Sequence, residues 1–130
     1  MSKSKVISFA HEFEKLRFVG NRTPESTPDQ LDGACAELAS YRDGAVFIGH
    51  YAGNSQWERH SRGDEFVYAL DGETTLVLLT ENGEVENSLR AGEFIVVPEN
   101  TWHRFETPTG VRIMTITPQP TDHRVDHPDA

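Results

Sequence analysis

Apolar and polar residues alternate along most of this chain in short runs, the period-two pattern of strands that bury one face. The pattern predicts strands over Ala34–Ser40, Ala45–Tyr51, Glu65–Leu70, Thr74–Thr80, Glu84–Leu89, Glu93–Val97, His103–Glu106 and Val111–Thr117. β-Branched and aromatic residues fill them, as in Phe94-Ile95-Val96-Val97. Between them stand Asp43-Gly44, Gly53-Asn54, Asp71-Gly72, Asn82-Gly83, Ala91-Gly92, Pro98 and Pro108 to Gly110. Asp-Gly and Asn-Gly pairs tolerate the positive φ of tight hairpins. Many short strands at near-regular spacing imply an all-β sandwich or barrel. Two regions break the pattern. Asn21 to Asp32, with Pro24 and Pro28, reads as a surface loop, and Pro118 to Ala130, with three prolines, reads as a tail that frays or wraps a neighbour. His11 to Val19 is left as a short helix or an irregular arm.

At 130 residues, with 36% apolar and 25% charged content, the chain is expected to form one globular domain, 1–130. The strand pattern makes its core about residues 34–117, between an N-terminal arm, 1–33, and the tail, 118–130. The net charge of −9, from 21 acids and 12 bases, repels phosphate backbones and anionic lipid. Nucleic acid and membrane surfaces are therefore not expected partners. Met1 to Phe9 has no apolar h-region and no run reaches a membrane span, so a cytoplasmic location is the expectation. Cys35 is the only cysteine; four-cysteine and two-cysteine, two-histidine zinc sites are excluded. Its setting, Ala34-Cys35-Ala36, reads as a buried, inert thiol.

Candidate chemistry is concentrated in two stretches. In Trp57-Glu58-Arg59-His60, Glu58 and His60 are two apart and share one strand face. A turn at Arg62-Gly63-Asp64 can return Glu65 beside them, with Val67 and Ala69 on the face of Glu65 and Phe66, Tyr68 and Leu70 on the other. Further on, Gly92 to Pro98 forms a strand, and Asn100 and Trp102 lead to His103. Imidazole and carboxylate together suit a divalent ion such as Fe, Mn, Zn, Ni or Co. Local spacing does not by itself bring His103 to His60.

These stretches resemble the two signature motifs of the cupin superfamily. The first is written G-x5-H-x-H-x3-4-E-x6-G, and His60, Glu65 and Gly72 stand at its second histidine, glutamate and closing glycine. The second, G-x5-P-x-G-x2-H-x3-N, is matched by Gly92, Pro98 and His103, with Asn100 at the middle glycine and Thr107 at the asparagine. Asn is a common substitute for Gly at positive φ. The first motif histidine falls on Glu58, and only four residues separate Gly53 from Glu58. The resemblance implies a small single-domain cupin, a double-stranded β-helix or jelly-roll barrel, with a divalent metal at its mouth and a small-molecule pocket. It implies ligands His60, Glu65 and His103, with Glu58 either a fourth ligand or, turned away, a free general base. His50 is the alternative fourth ligand. It also implies a homodimer, with Val6 to Phe9 a candidate exchanged strand.

Other residues read more plainly. Alternation points Trp57 and Trp102 away from the ligand face, into packing. Arg59, Arg62 and Arg104 are expected to pair with surface acids rather than bind substrate. His11, His123 and His127 are expected in solvent. Three functions stay open: a metal-dependent enzyme of dioxygenase, isomerase or lyase type on a small polar metabolite, a non-catalytic binding or sensory module, and a metal-free structural protein.

Overall fold

The computed structural model describes residues 4–128. In order the elements are helix α1 (Phe9–Glu14), strand β1 (Val19–Arg22), helix α2 (Pro28–Leu31), and strands β2 (Cys35–Tyr41), β3 (Gly44–Asn54), β4 (Trp57–His60), β5 (Glu65–Thr80), β6 (Gly83–Arg90), β7 (Phe94–Val97), β8 (His103–Pro118) and β9 (Thr121–Arg124). The architecture is the expected all-β one. β8 is its spine, pairing antiparallel with β3, with β5 and, at Glu58, with β4. β5 carries β7 on its first half and β6 on its second, while β2 flanks β3.

Four predicted strands are two long ones. Asp71-Gly72 and Pro108 to Gly110 were expected to end strands, yet β5 and β8 run through them. The reason lies in their pairing: Gly72 faces Val111 and Glu73 faces Gly110, with register shifts on either side. The glycines, at φ 77° and 135°, bend a continuous ladder instead of reversing it. A Cβ on Gly72 would strike the Gly110 carbonyl oxygen, so the two backbones close up only because residue 72 has no side chain.

The bend lets both strands keep one face inward. Val67, Ala69, Leu76, Phe105, Val111 and Ile113 meet Tyr51, Leu89 and Val97 in the main core. Full burial of each such aliphatic side chain contributes about 1.5–3 kcal/mol. Glu65 lies on the face of Val67 and Ala69, as alternation requires, and so points into the same interior. Trp57 and Trp102 face away and pack with Val77 and Leu79 in a second cluster. On the outer surface Phe66 stacks on Phe94 at 4.9 Å between ring centroids, and Phe94 remains 60% exposed.

The sheet extends past 34–117 at both ends. β1 pairs parallel with β3, inside what was expected to be arm and loop. α2 starts from a capping box, Thr27 Oγ1 accepting from Gln30 N–H and Gln30 Oε1 accepting from Thr27 N–H. The C-terminal segment, expected to fray or to wrap a neighbour, forms β9 antiparallel to β4 of the same chain. Val6 to Phe9 forms no strand; Val6 is exposed and Phe9 opens α1. Among the described residues no helix is long and apolar enough to cross a membrane.

Candidate metal centre

His60 closes β4, Glu65 opens β5 and His103 opens β8, so three strand ends meet at one end of the interior. The intervening loops hold those ends together. Asn100 N–H donates to the His60 carbonyl at 2.8 Å, and Glu99 N–H donates to Asp64 Oδ1 at 2.8 Å. Asn100 has φ 63°, the left-handed conformation expected of the residue at the glycine position.

His60, Glu65 and His103 are 3%, 4% and 0% exposed. Glu65 Oε1 lies 3.0 Å from His103 Nε2 and 3.4 Å from His60 Nε2. One ligand-type atom from each residue falls within 4.8 Å of the other two. Their remaining polar atoms are tied to the protein. His103 Nδ1–H donates to the Thr101 carbonyl at 2.9 Å. Thr121 Oγ1 donates to Gln119 Oε1 at 3.2 Å, so His60 Nδ1–H is the donor in its 3.0 Å contact with Thr121 Oγ1. Thr117 Oγ1 donates to Glu65 Oε2 at 2.6 Å, and Thr115 Oγ1 in turn donates to Thr117 Oγ1 at 2.7 Å. Each outer hydrogen bond orients an inner atom, as second-sphere partners do around metal ligands.

The charge balance of the metal-free chain follows from this geometry. Burial opposes ionisation of Glu65, but its contacts with His103 and then His60 outweigh it and hold the carboxyl down at about 2. Burial alone would depress His103; Glu65 raises it above its ordinary value instead. His60 Nε2 is left buried without a hydrogen-bond partner among the described residues. Two imidazole nitrogens and a carboxylate oxygen thus converge with one buried nitrogen unsatisfied, and this donor set fits a divalent ion.

Glu58 is in register with His103 on one side and His123 on the other. It lies outside the converging set, on the wall of the adjoining cavity. Burial first, then repulsion from Glu65, raises its carboxyl pKa, with His103, His60 and His123 pulling the other way. The cavity, of about 360 Å³, includes Glu65 in its wall and so opens onto the cluster. Phe47, Tyr51, Phe105 and Ile113 form its apolar side, and Arg22, Glu58, Thr115, Thr117 and His123 its polar side.

Several expectations are corrected here. His50 lies away from the cluster, against Phe18 at 4.8 Å and beside Asp71 and Arg112. Strand alternation turns it opposite to Gly49 and Tyr51, which line the cavity. Cys35 is exposed rather than buried and lines the cavity wall, where partial enclosure raises its thiol pKa and Arg22 lowers it. His123, expected in solvent, also lines the cavity because β9 pairs with β4. His127 bonds Glu84 at 3.0 Å and packs edge-on against Trp57. Arg59 pairs with Asp122 at 3.0 Å over Trp102, and Arg104 pairs with Glu84 and Glu106 over Trp57, as surface pairing required.

Sequence reasoning missed Arg22, Thr115, Thr117 and Thr121. A signal existed for two of them. Thr115 and Thr117 continue the inward face of Val111 and Ile113, so polar residues occupy positions that a plain core would fill with aliphatics.

The fold and the three converging ligands define a cupin-type barrel with a candidate metal centre. The chain belongs to the cupin family: the cupin domain profile matches residues 48–126, more than half its length. Among solved structures it is similar to a cupin-2 domain containing protein from Shewanella frigidimarina, at TM-score 0.62 and 19% identity, covering 92% of this chain and 95% of that one. It is also similar to a protein from Neisseria meningitidis, at TM-score 0.61 and 15% identity, covering 92% and 100%. A hydroquinone 1,2-dioxygenase, solved with Cd2+ and 4-hydroxybenzonitrile, matches at TM-score 0.55 and 20% identity, covering 65% and 63%. At these identities the likeness is one of fold. No curated protein sequence matches the chain.

Proposed function

We propose that this cupin is a metal-dependent enzyme acting on a small polar molecule, with His60, Glu65 and His103 as the ligands of a divalent ion. The observation that carries the reading is the buried, unpartnered Nε2 of His60, aimed with His103 Nε2 at the same carboxylate oxygen. A divalent ion there supplies a Lewis acid able to polarise a substrate oxygen. The chain's own residues do the rest. Thr101, Thr117 and Thr121 fix the three ligands, the apolar wall excludes water from part of the cavity, and Glu58 is placed to take or return a proton there. The dioxygenase neighbour, solved with a divalent cation, agrees with this class without selecting its reaction.

A second reading, a binding module without turnover, draws on Glu58 standing where the family motif has its first histidine, which leaves three ligands in place of four. Homodimerisation belongs to the reading as well: Phe94 and Val96 are exposed beside Phe66 on the outer sheet. A cytoplasmic site of action agrees with a lone free cysteine.

Elemental analysis of protein purified without chelator, beside His60→Ala/His103→Ala, tests the metal assignment. Near-stoichiometric metal in the wild type and none in the double variant is the expected result. No metal in either after exposure to Fe, Mn, Ni and Zn overturns it. Oxygen-uptake and turnover screens on the loaded protein then separate enzyme from binding module.

A further inference from the structure

Arg22 is the last residue of β1, paired opposite Gly53 of β3. Gly53 has φ 100°, and a Cβ there would lie 2.1 Å from the Arg22 carbonyl oxygen, so the end of β1 is seated closely on the sheet. The guanidinium sits over the buried Tyr51 ring, its carbon 3.7 Å from the ring centroid. It lines the cavity that contains Glu65, and also the adjoining groove under Thr23 and Ser26.

Its polar atoms are unusual for this chain. Nε and Nη2 are buried and have no hydrogen-bond partner among the described residues. Arg59, Arg90, Arg104 and Lys15 each have a carboxylate partner. In a protein with 21 acids and 12 bases, Arg22 is the exception among the half-buried arginines of the described residues, since Arg59 and Arg104 both have such a partner. A guanidinium stays charged at every accessible pH, and its burial is costly without an anion. The two bare atoms are also the pair whose N–H bonds point the same way, the edge that receives a carboxylate in bidentate fashion.

We propose that Arg22 is the anion clamp of this cavity, holding the carboxylate of a small organic acid on its Nε–Nη2 edge. The assignment rests on the cavity being the ligand site of the proposed function, and it names the substrate class. Phe47, Phe105 and Ile113 receive the apolar body of the acid. The cation–π contact with Tyr51 restrains the guanidinium, so the acid meets a fork already held in place.

The test is calorimetric titration of the full chain with acetate, benzoate and phenylacetate, each with and without one equivalent of Mn2+, using wild type, Arg22→Met and Arg22→Lys. At least one acid binds the wild type in both conditions. Arg22→Met weakens that binding at least tenfold, Arg22→Lys falls between, and Mn2+ affinity stays within twofold. Lys keeps the charge without the fork, so a graded loss separates recognition from a folding defect. Equal binding by Arg22→Met, or no binding of any of the three acids to the wild type, overturns the proposal. If the wild type takes up none of Mn2+, Fe2+, Ni2+ and Zn2+ while Arg22→Met still loses the acid, the metal reading fails and the clamp stands. If Mn2+ binds and Arg22→Met keeps the acid, the clamp alone fails.

Discussion

Thr121 Oγ1 lies 3.0 Å from His60 Nδ1, across 61 positions of sequence. The C-terminal strand therefore does more than cover the sheet, because it sets the tautomer and the direction of a candidate ligand. Thr121→Val keeps the shape and removes the acceptor. Metal affinity should fall about 10–100-fold, read by competition with a chromophoric chelator. The melting temperature in EDTA should change little, because Thr121 is only half-buried. Unchanged affinity would show that His60 needs no support from β9.

Ligand removal gives a second expectation. With metal at a hundredfold excess over its Kd, the wild type should gain about 2.7 kcal/mol of stability by mass action. His60→Ala/His103→Ala should gain none. Thermal melts with and without EDTA measure both, and an equal metal-induced shift in the double variant would place the ion elsewhere.

Glu58 separates ligand from base. Facing His103 across the sheet but outside the converging set, it should be dispensable for metal uptake. Glu58→Gln should keep near-stoichiometric metal and lose turnover by about 10²–10⁴. Loss of metal in Glu58→Gln would make it a fourth ligand.

The pH dependence follows from two opposed shifts. Folding lowers Glu65 from 4.5 to about 2. Its contribution is present above pH 4.5 and is lost as pH falls toward 2. Folding raises His103 above 6.5, so its contribution is full below pH 6.5 and is lost as pH rises through the folded value. In EDTA, the stability difference between wild type and His103→Gln should be largest between pH 4.5 and 6.5 and shrink above. Metal affinity should move the other way and rise above pH 6.5, since an ion replaces the proton on His103. Melts across roughly pH 2 to 9, which covers both transitions, with metal titrations over the upper part of that range, check the signs, and a difference that grows above neutrality would contradict them.

Glycine positions offer a test of the bent strands. Gly72→Ala places a methyl group against the Gly110 carbonyl at a left-handed residue and should cost about 1–3 kcal/mol for the backbone alone, with the clash in addition. Gly83→Ala has the same sign of φ but meets nothing within 4 Å. It should be clearly the milder of the two in urea denaturation.

Much of this protein was legible in the order of its residues. Alternation sorted Glu65, Val67 and Ala69 onto one face and Trp57 and Trp102 away from the ligands, because a strand's side-chain period is two wherever the strand lies. The spacing of His60, Glu65, Gly72, Gly92, Pro98 and His103 marked the family and its candidate ligands, and Asn100 has the positive φ its position required. What depended on long-range pairing was not legible. Whether Gly72 turns a chain or bends a ladder depends on Gly110 lying against it. Motif spacing singled out His60 but left His50 open as a fourth ligand, and only the sheet register sends His50 to Phe18 and away from Glu65. The proline-rich tail became β9 because β4 had an unpaired edge to receive it. Arg22 gained its place over Tyr51 from a parallel pairing that no local pattern announces. Period and turn chemistry are local and survive in the sequence; partners, register and the set of atoms left without a partner exist only once distant strands have met.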